Sequence, residues 1–294
     1  MDRSSYFIKD RALFGSYPTQ EAVNELEKEG VKFFINLTHD DEAKITPYTT
    51  NNKIIAYPII DRHVPTDWQS FAKFIIRISY IIRNLKNGER IYLHCKGGHG
   101  RSGVVVAAIL CYMFRLSPTD ALEQTTKSHS NRSVMRDKWR KLGSPQTYRQ
   151  KSFIHKFFNV LYFCRANRIG NTAGFSSCTS HPVVINELGS FPTAEAAIQA
   201  YKNPSDKEYV KKQELSKNPN FSVILGNQVN IRSDWNKISD EIIYKVTEAK
   251  FMQNPELKYN LIYTGLRPIV HSTNGVNVID KTLMRLREKL LETI

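Results

Sequence analysis

Ile91-Tyr92-Leu93-His94-Cys95-Lys96-Gly97-Gly98-His99-Gly100-Arg101-Ser102-Gly103, followed at once by the apolar run from Val104 to Leu110, decides how this chain is read. A cysteine and an arginine stand at the two ends of a five-residue, glycine-rich loop between a strand and a helix. Gly97, Gly98 and Gly100 let the backbone turn tightly and aim successive N–H groups inward, and the following helix adds the positive end of its dipole. Both features favour an anion. The same field favours the thiolate of Cys95, and Arg101 brings a planar fork that matches two phosphate oxygens. Ser102 is placed to donate to the sulfur, and His94 to orient the loop from behind. The segment reads as a phosphate cradle with a built-in nucleophile, its anion contacts supplied by Lys96, Gly97, Gly98, His99, Gly100 and Arg101.

The Cys95-x5-Arg101-Ser102 pattern preceded by His94 resembles the signature of the cysteine-dependent protein phosphatases, a superfamily that also uses an acid loop. Ile59-Ile60-Asp61-Arg62-His63-Val64-Pro65-Thr66-Asp67-Trp68 is similar to that loop. Such chemistry needs a group that protonates the leaving oxygen and later activates water. Asp61 and Asp67 both lie at tolerable distances from Cys95. The Val64-Pro65 pair after Asp61 favours Asp61, while Asp67 precedes the helical run from Trp68 to Leu85 and suits an N-cap.

The resemblance spans about residues 1 to 165. Leu13 to Pro18 reads as an opening turn, Val31 to Leu37 as a buried strand, and Glu21 to Gly30 as an amphipathic helix between them. Alternating strands and helices imply an α/β fold, a central sheet flanked by helices. The domain is too short for the larger tyrosine-specific type and is closer to the compact dual-specificity type. Ser144-Pro145-Gln146-Thr147-Tyr148-Arg149-Gln150 resembles the segment before the last helix of such proteins, where Gln150 either positions water or caps. Lys96 and His99 make the cradle basic, which suits a multiply phosphorylated headgroup or an RNA 5′-phosphate as well as a phosphorylated protein.

The chain has 294 residues, 41% of them hydrophobic, enough for two cores. No stretch reaches the ~18 consecutive apolar residues of a membrane span, and the amino terminus begins no apolar signal run. The four cysteines form no C-x-x-C pair and no metal-ligand spacing, so a reducing, cytoplasmic compartment is expected, with neither metal nor cofactor. The net charge of +14 is uneven: residues 1 to 165 hold 26 lysines and arginines against 15 carboxylates, and the remainder 16 against 13. The basic excess sits with the cradle. It suits an acidic substrate; nucleic acid is a further possibility without a motif to support it.

From Ala166 to Pro182 the periodic pattern lapses into a polar, glycine- and serine-containing stretch that reads as a linker, leaving a second domain over residues 183 to 294. Phe191-Pro192-Thr193-Ala194-Glu195-Ala196, Ile231-Arg232-Ser233-Asp234-Trp235, Ala249-Lys250-Phe251-Met252 and Thr264-Gly265 occur in the order found in the NADAR (YbiA-like) family. The resemblance covers roughly residues 173 to 294 and implies a mostly helical domain that handles ADP-ribose or NAD-related ligands and N-glycosidic bonds. Chemistry at an N-glycosidic carbon needs a carboxylate, with aromatic and cationic groups to hold base and phosphate. Glu195 is the first choice for the acid/base role; Arg232, Asp234, Trp235 and Lys250 are candidates for nucleotide binding. Pro268 to Thr273 departs from the family pattern. Two readings follow: a bifunctional hydrolase, or a phosphatase carrying an ADP-ribose-binding module.

Overall fold

The apolar runs ending at Gly15, Asn36, Ala56 and His94 pair side by side as parallel strands in the computed structural model, which describes residues 3–165, 170, 172–273 and 275–292. Two compact units divide the chain, Met1–Asn159 and Val160–Ile294. In the first, β1 (Ser4–Ile8), β2 (Ala12–Gly15), α1 (Gln20–Lys28), β3 (Val31–Asn36), β4 (Lys53–Ala56), α2 (Trp68–Asn84), β5 (Arg90–His94), α3 (Arg101–Phe114), α4 (Pro118–Ser130), α5 (Asp137–Leu142) and α6 (Tyr148–Phe157) follow in order. The sheet order is β1-β2-β5-β3-β4, with β1 antiparallel at one edge. The expected turn at Leu13 to Pro18 is corrected by this arrangement. Residues 12–15 are all buried and pair with β1 on one side and β5 on the other, so their backbone groups are satisfied as a central strand.

The central place of β5 sets up the site. His94 at its end is level with Gly15 on β2 and Asn36 on β3, so the chain leaves the sheet at the carboxyl end of its middle strand. Ligands of open α/β sheets bind there. From Arg101 to Tyr112 every residue of α3 is buried, as expected of a helix apolar on all sides. Val23 and Leu26 of α1 pack with Val31, Phe34 and Tyr92. The Asp67 carboxylate accepts from the N–H groups of Gln69 (3.0 Å) and Ser70 (2.9 Å) and starts α2 as an N-cap.

The second unit holds β6 (Leu161–Phe163), β7 (Val183–Ile185), β8 (Gly189–Phe191), α7 (Ala194–Ala200), α8 (Lys207–Leu215), α9 (Pro219–Gln228), α10 (Trp235–Gln253), α11 (Pro255–Tyr263), β9 (Ile269–Thr273), β10 (Val276–Ile279) and α12 (Lys281–Glu292). It is mostly helical. Its strands make a three-stranded sheet, β10-β9-β6, and a β7-β8 hairpin. The boundary expected at residue 165 and the linker expected over 166–182 are corrected here. β6 pairs in parallel with β9, over a hundred residues downstream, so residues 161–163 belong to the second unit. Thr172, Phe175 and Ser176 are buried, and the Lys250 ammonium donates to the carbonyls of Gly174 (2.5 Å) and Ser176 (2.6 Å), so this stretch is built into the core. Residues 166–169 and 171 of the expected linker lie outside the described residues.

Candidate active sites

Between β5 and α3 the chain turns through Cys95 to Gly100, and the partners of its carbonyls show which way the loop faces. Lys96 O accepts from Tyr17 N (3.1 Å), Gly98 O from Arg132 Nη1 (2.9 Å) and His99 O from Ser144 Oγ (2.6 Å). Because each peptide is planar and trans, the N–H groups of Gly97, His99 and Gly100 point the opposite way, toward the inside of the turn. Gly98 has φ +71°, and a Cβ there would collide with the backbone of Gly15, so glycine is required by both conformation and space. Cys95 is 3% exposed, and its Sγ lies 3.5 Å from Ser102 Oγ.

Arg101 is 1% exposed and held as a fork. Its Nη1 and Nη2 donate to the two oxygens of Glu42 at 2.6 and 2.8 Å, Nη1 also reaches Ile59 O (3.0 Å), and Nη2 lies 3.2 Å from Asp61 Oδ1. Burial pulls Arg101 toward its neutral form, but Glu42, Cys95 and Asp61 more than reverse this and hold it charged. In turn the Arg101 hydrogen bond keeps Glu42 below the usual carboxylate range. The buried Nε–H of Arg101 has no acceptor among the described residues. A buried donor left unmet costs about 1–3 kcal/mol, and an anion in the loop would supply the acceptor.

Of the remaining expected residues, His94 is fully buried, its Nε2 is 2.8 Å from the Tyr48 hydroxyl, and burial, aided by Arg101, lowers it to about 3. It is neutral. Lys96 extends its ammonium to Ala43 O (2.6 Å). His99 does not present a charged ring to the cradle: Nδ1 bonds His129 Nε2 (2.8 Å), the ring stacks on Trp139 (4.7 Å), and burial, with Arg132, lowers it to about 4. The expectation of a basic His99 is therefore corrected. Gln150 forms a capping box with Thr147, and its Nε2 donates to His63 O (3.2 Å), tying the Asp61 segment to α6. Glu42 and His129 were not singled out in the sequence. Glu42 stands in an acidic run, Asp40-Asp41-Glu42, where only packing selects the third.

A cavity of about 340 Å³ in the second unit is lined by Phe163, Glu195, Trp235, His271 and Asp280 among others. Glu195 lies in the first turn of α7, and its oxygens accept from Ser177 Oγ (2.7 Å) and Gln199 Nε2 (2.8 Å). His271 stacks on Phe163 at 4.7 Å. Asp280 caps α12 through Leu283 N (2.8 Å), and burial raises its carboxyl despite that bond and the nearby His271. The cavity thus holds two carboxyl groups between aromatic walls.

The nucleotide-binding candidates separate. Trp235 joins Glu195 at the cavity. Arg232 and Asp234 pair with each other, Nε to Oδ1 at 2.6 Å, and neither lines the cavity. Lys250 is buried beneath the 174–179 segment; its third bond goes to Thr179 Oγ1 (2.8 Å), and burial pulls it down to about 7. Three acceptors match the three N–H groups of an ammonium, so its task there is to hold backbone. Asp280 was missed because a lone aspartate before a helix reads as a cap, which it also is.

Comparison with known proteins agrees with this division. The family model described as "Polymorphic toxin system, DSP-PTPase phosphatase" matches residues 11–114, and the NADAR domain model matches residues 162–275. The two "Putative tyrosine phosphatase" proteins 197R of Invertebrate iridescent virus 6 and 067L of Invertebrate iridescent virus 3 are similar to this chain. The first is 34% identical over 281 residues, covering 95% of this chain and 88% of its own length. The second is 35% identical over 177 residues, covering 60% and 73%. N-glycosidase YbiA of Shigella flexneri is 26% identical over 130 residues, 40% of this chain and 80% of that one. With the first of these likenesses running through both units, the chain belongs to the family of the iridescent-virus tyrosine phosphatases and carries a dual-specificity-type phosphatase domain followed by a NADAR domain.

Proposed function

We propose that the first unit hydrolyses phosphate monoesters through a phosphocysteine. The Cys95 thiolate attacks phosphorus; an S–P bond forms as the P–O bond to the substrate breaks, and the departing oxygen takes the proton of the Asp61 carboxyl. The Asp61 carboxylate then accepts a proton from a water that attacks the phosphocysteine, which releases inorganic phosphate and restores the thiolate. Arg101 and the inward N–H groups hold the equatorial oxygens throughout. Arg101 carries this reading: a guanidinium fixed by Glu42, beside Asp61, with a buried Nε–H that lacks an acceptor among the described residues. The full chain should hydrolyse an aryl phosphate, and acid quenching during turnover should trap phosphate on Cys95. Cys95→Ser should abolish both. Retained turnover in that variant would overturn the mechanism.

In the second unit we infer cleavage of an N-glycosidic bond in the Glu195 cavity. Glu195 activates water and offsets the positive charge that develops on the sugar, while Asp280, whose carboxyl its surroundings raise, protonates the departing base. The pairing of Glu195, which accepts from Ser177 and Gln199, with Asp280, whose carboxyl is raised, across an aromatic-walled cavity supports this reading. NAD and an ADP-ribosylated peptide are the first substrates to test, with Glu195→Ala as control. Tight ADP-ribose binding with no turnover would replace the hydrolase by a recognition module.

A further inference from the structure

A cavity of about 320 Å³ adjoins the nucleophile loop, and Lys96, Gly97 and His99 belong to both. Arg3, Lys96, Arg132 and Arg136 line it, and no carboxylate among the described residues does. Their charges are spent differently. Arg132 is buried and committed to the carbonyls of Gly98 (2.9 Å) and Phe14 (3.1 Å), a structural use that keeps the loop in place. Lys96 donates to the carbonyl of Ala43 and forms no salt bridge among the described residues, although its charge is felt by Glu42. Arg3 and Arg136 are exposed at the cavity and belong to no ion pair among the described residues. By contrast, the Glu42 carboxylate that neutralises Arg101 lies among the partners of the cradle, outside this cavity.

From this juxtaposition we propose that the cavity is a subsite for a second phosphate of the substrate, so that the first unit prefers a monoester bearing another phosphate on its leaving-group side. The inference rests on the phosphatase reading and deepens it. Two guanidinium groups and an ammonium without carboxylates repel one another, and a phosphate dianion relieves that repulsion while accepting their hydrogen bonds. His99 adds no charge because it is neutral; stacked on Trp139 and bonded to His129, it forms a fixed partition between cradle and subsite. Specificity for the second phosphate therefore falls to Arg3, Arg136 and Lys96, and the first two take no part in the chemistry.

The test compares matched substrates with the full-length chain: an inositol monophosphate with an inositol bisphosphate, and a nucleoside monophosphate with the bisphosphate carrying its second phosphate on the ribose. Release of phosphate from the bisphosphate of at least one pair should show a kcat/KM about tenfold or more above its monophosphate, and the pair concerned distinguishes a polyol headgroup from a nucleotide end. The Arg3→Ala, Arg136→Ala double variant should lose this advantage while its kcat/KM for an aryl monophosphate stays within about twofold. Arg136→Glu should turn the advantage into a handicap. Equal treatment of mono- and bisphosphate in both pairs, or an advantage that survives the double variant, would overturn the subsite. Absence of aryl phosphate hydrolysis, or hydrolysis that persists in Cys95→Ser, would instead remove the phosphatase reading beneath it.

Discussion

Glu42 shows how much a single carboxylate decides at the residue scale. A guanidinium as buried as that of Arg101 is tolerable only when paired, and removing one partner of such a pair typically costs about 3–5 kcal/mol. Glu42→Ala should therefore destabilise the first unit by about 3 kcal/mol in a urea titration followed by phosphatase activity. It should also lower kcat about 10²-fold, because the Arg101 fork is no longer held in line. Glu42→Gln, which keeps one acceptor, should fall between. Asp61 and Asp67 make a second contrast. Asp61→Asn should lower kcat about 10²–10⁴-fold for an alkyl phosphate and remove the descending, alkaline limb of the pH profile, whereas Asp67→Ala should cost about 1 kcal/mol of stability with little loss of kcat. The helical run after Asp67 made its capping role legible in the sequence. Nothing in Asp40-Asp41-Glu42 distinguished the residue that reaches Arg101, since that choice depends on a contact 59 positions away.

Elements with a strong period, such as α1, α2 and α3, are where local sequence and fold agree, because their apolar spacing has one way to be buried. β2 and β6 are short and lack a period of their own; each exists because a distant strand pairs with it, β5 and β9 respectively, and no local pattern reports that. The contact between the loop and α4 has a consequence for pH. His99 and His129 are held neutral by burial, at about 4 and about 3, well below the value of an exposed histidine. Between those values and about 6.5 the unfolded chain binds protons that the folded chain refuses. Their contribution is thus complete above pH about 6.5 and is lost as pH falls toward 4. The urea midpoint of the phosphatase transition should drop between pH 7 and 5, and His129→Gln should flatten that drop. A midpoint unchanged over this range would contradict it. In the second unit, Lys250→Met leaves the carbonyls of Gly174 and Ser176 without their donor, and a loss of about 2–4 kcal/mol is expected in thermal unfolding followed by calorimetry.

For the whole molecule, the two candidate sites draw on different units and different chemistry. All described residues of the cradle and its adjoining cavity come from Met1–Asn159, and all those of the Glu195 cavity from Val160–Ile294. Each unit has its own core, the first centred on Leu13, Phe34 and Tyr92 and the second on Val183, Phe191 and Ala197. Substitutions that share no contact act additively. Cys95→Ser should accordingly abolish aryl phosphate hydrolysis and leave unchanged whatever ADP-ribose binding or N-glycoside cleavage the parent chain shows. Glu195→Ala should do the reverse, and the double variant should show the sum of the two phenotypes and nothing more. The arms are read on one preparation, with phosphate release, base release and ADP-ribose titration measured in parallel. If Glu195→Ala lowers kcat/KM for the aryl phosphate more than about threefold, or if saturating ADP-ribose alters it in the parent chain, the sites are coupled by at least about 0.6 kcal/mol and independence fails. Coupling that acts on binding would, by reciprocity, appear equally as a change in ADP-ribose affinity when the cradle binds phosphate, whereas coupling that acts on kcat alone need not, so the two titrations together tell which of the two the NADAR domain alters.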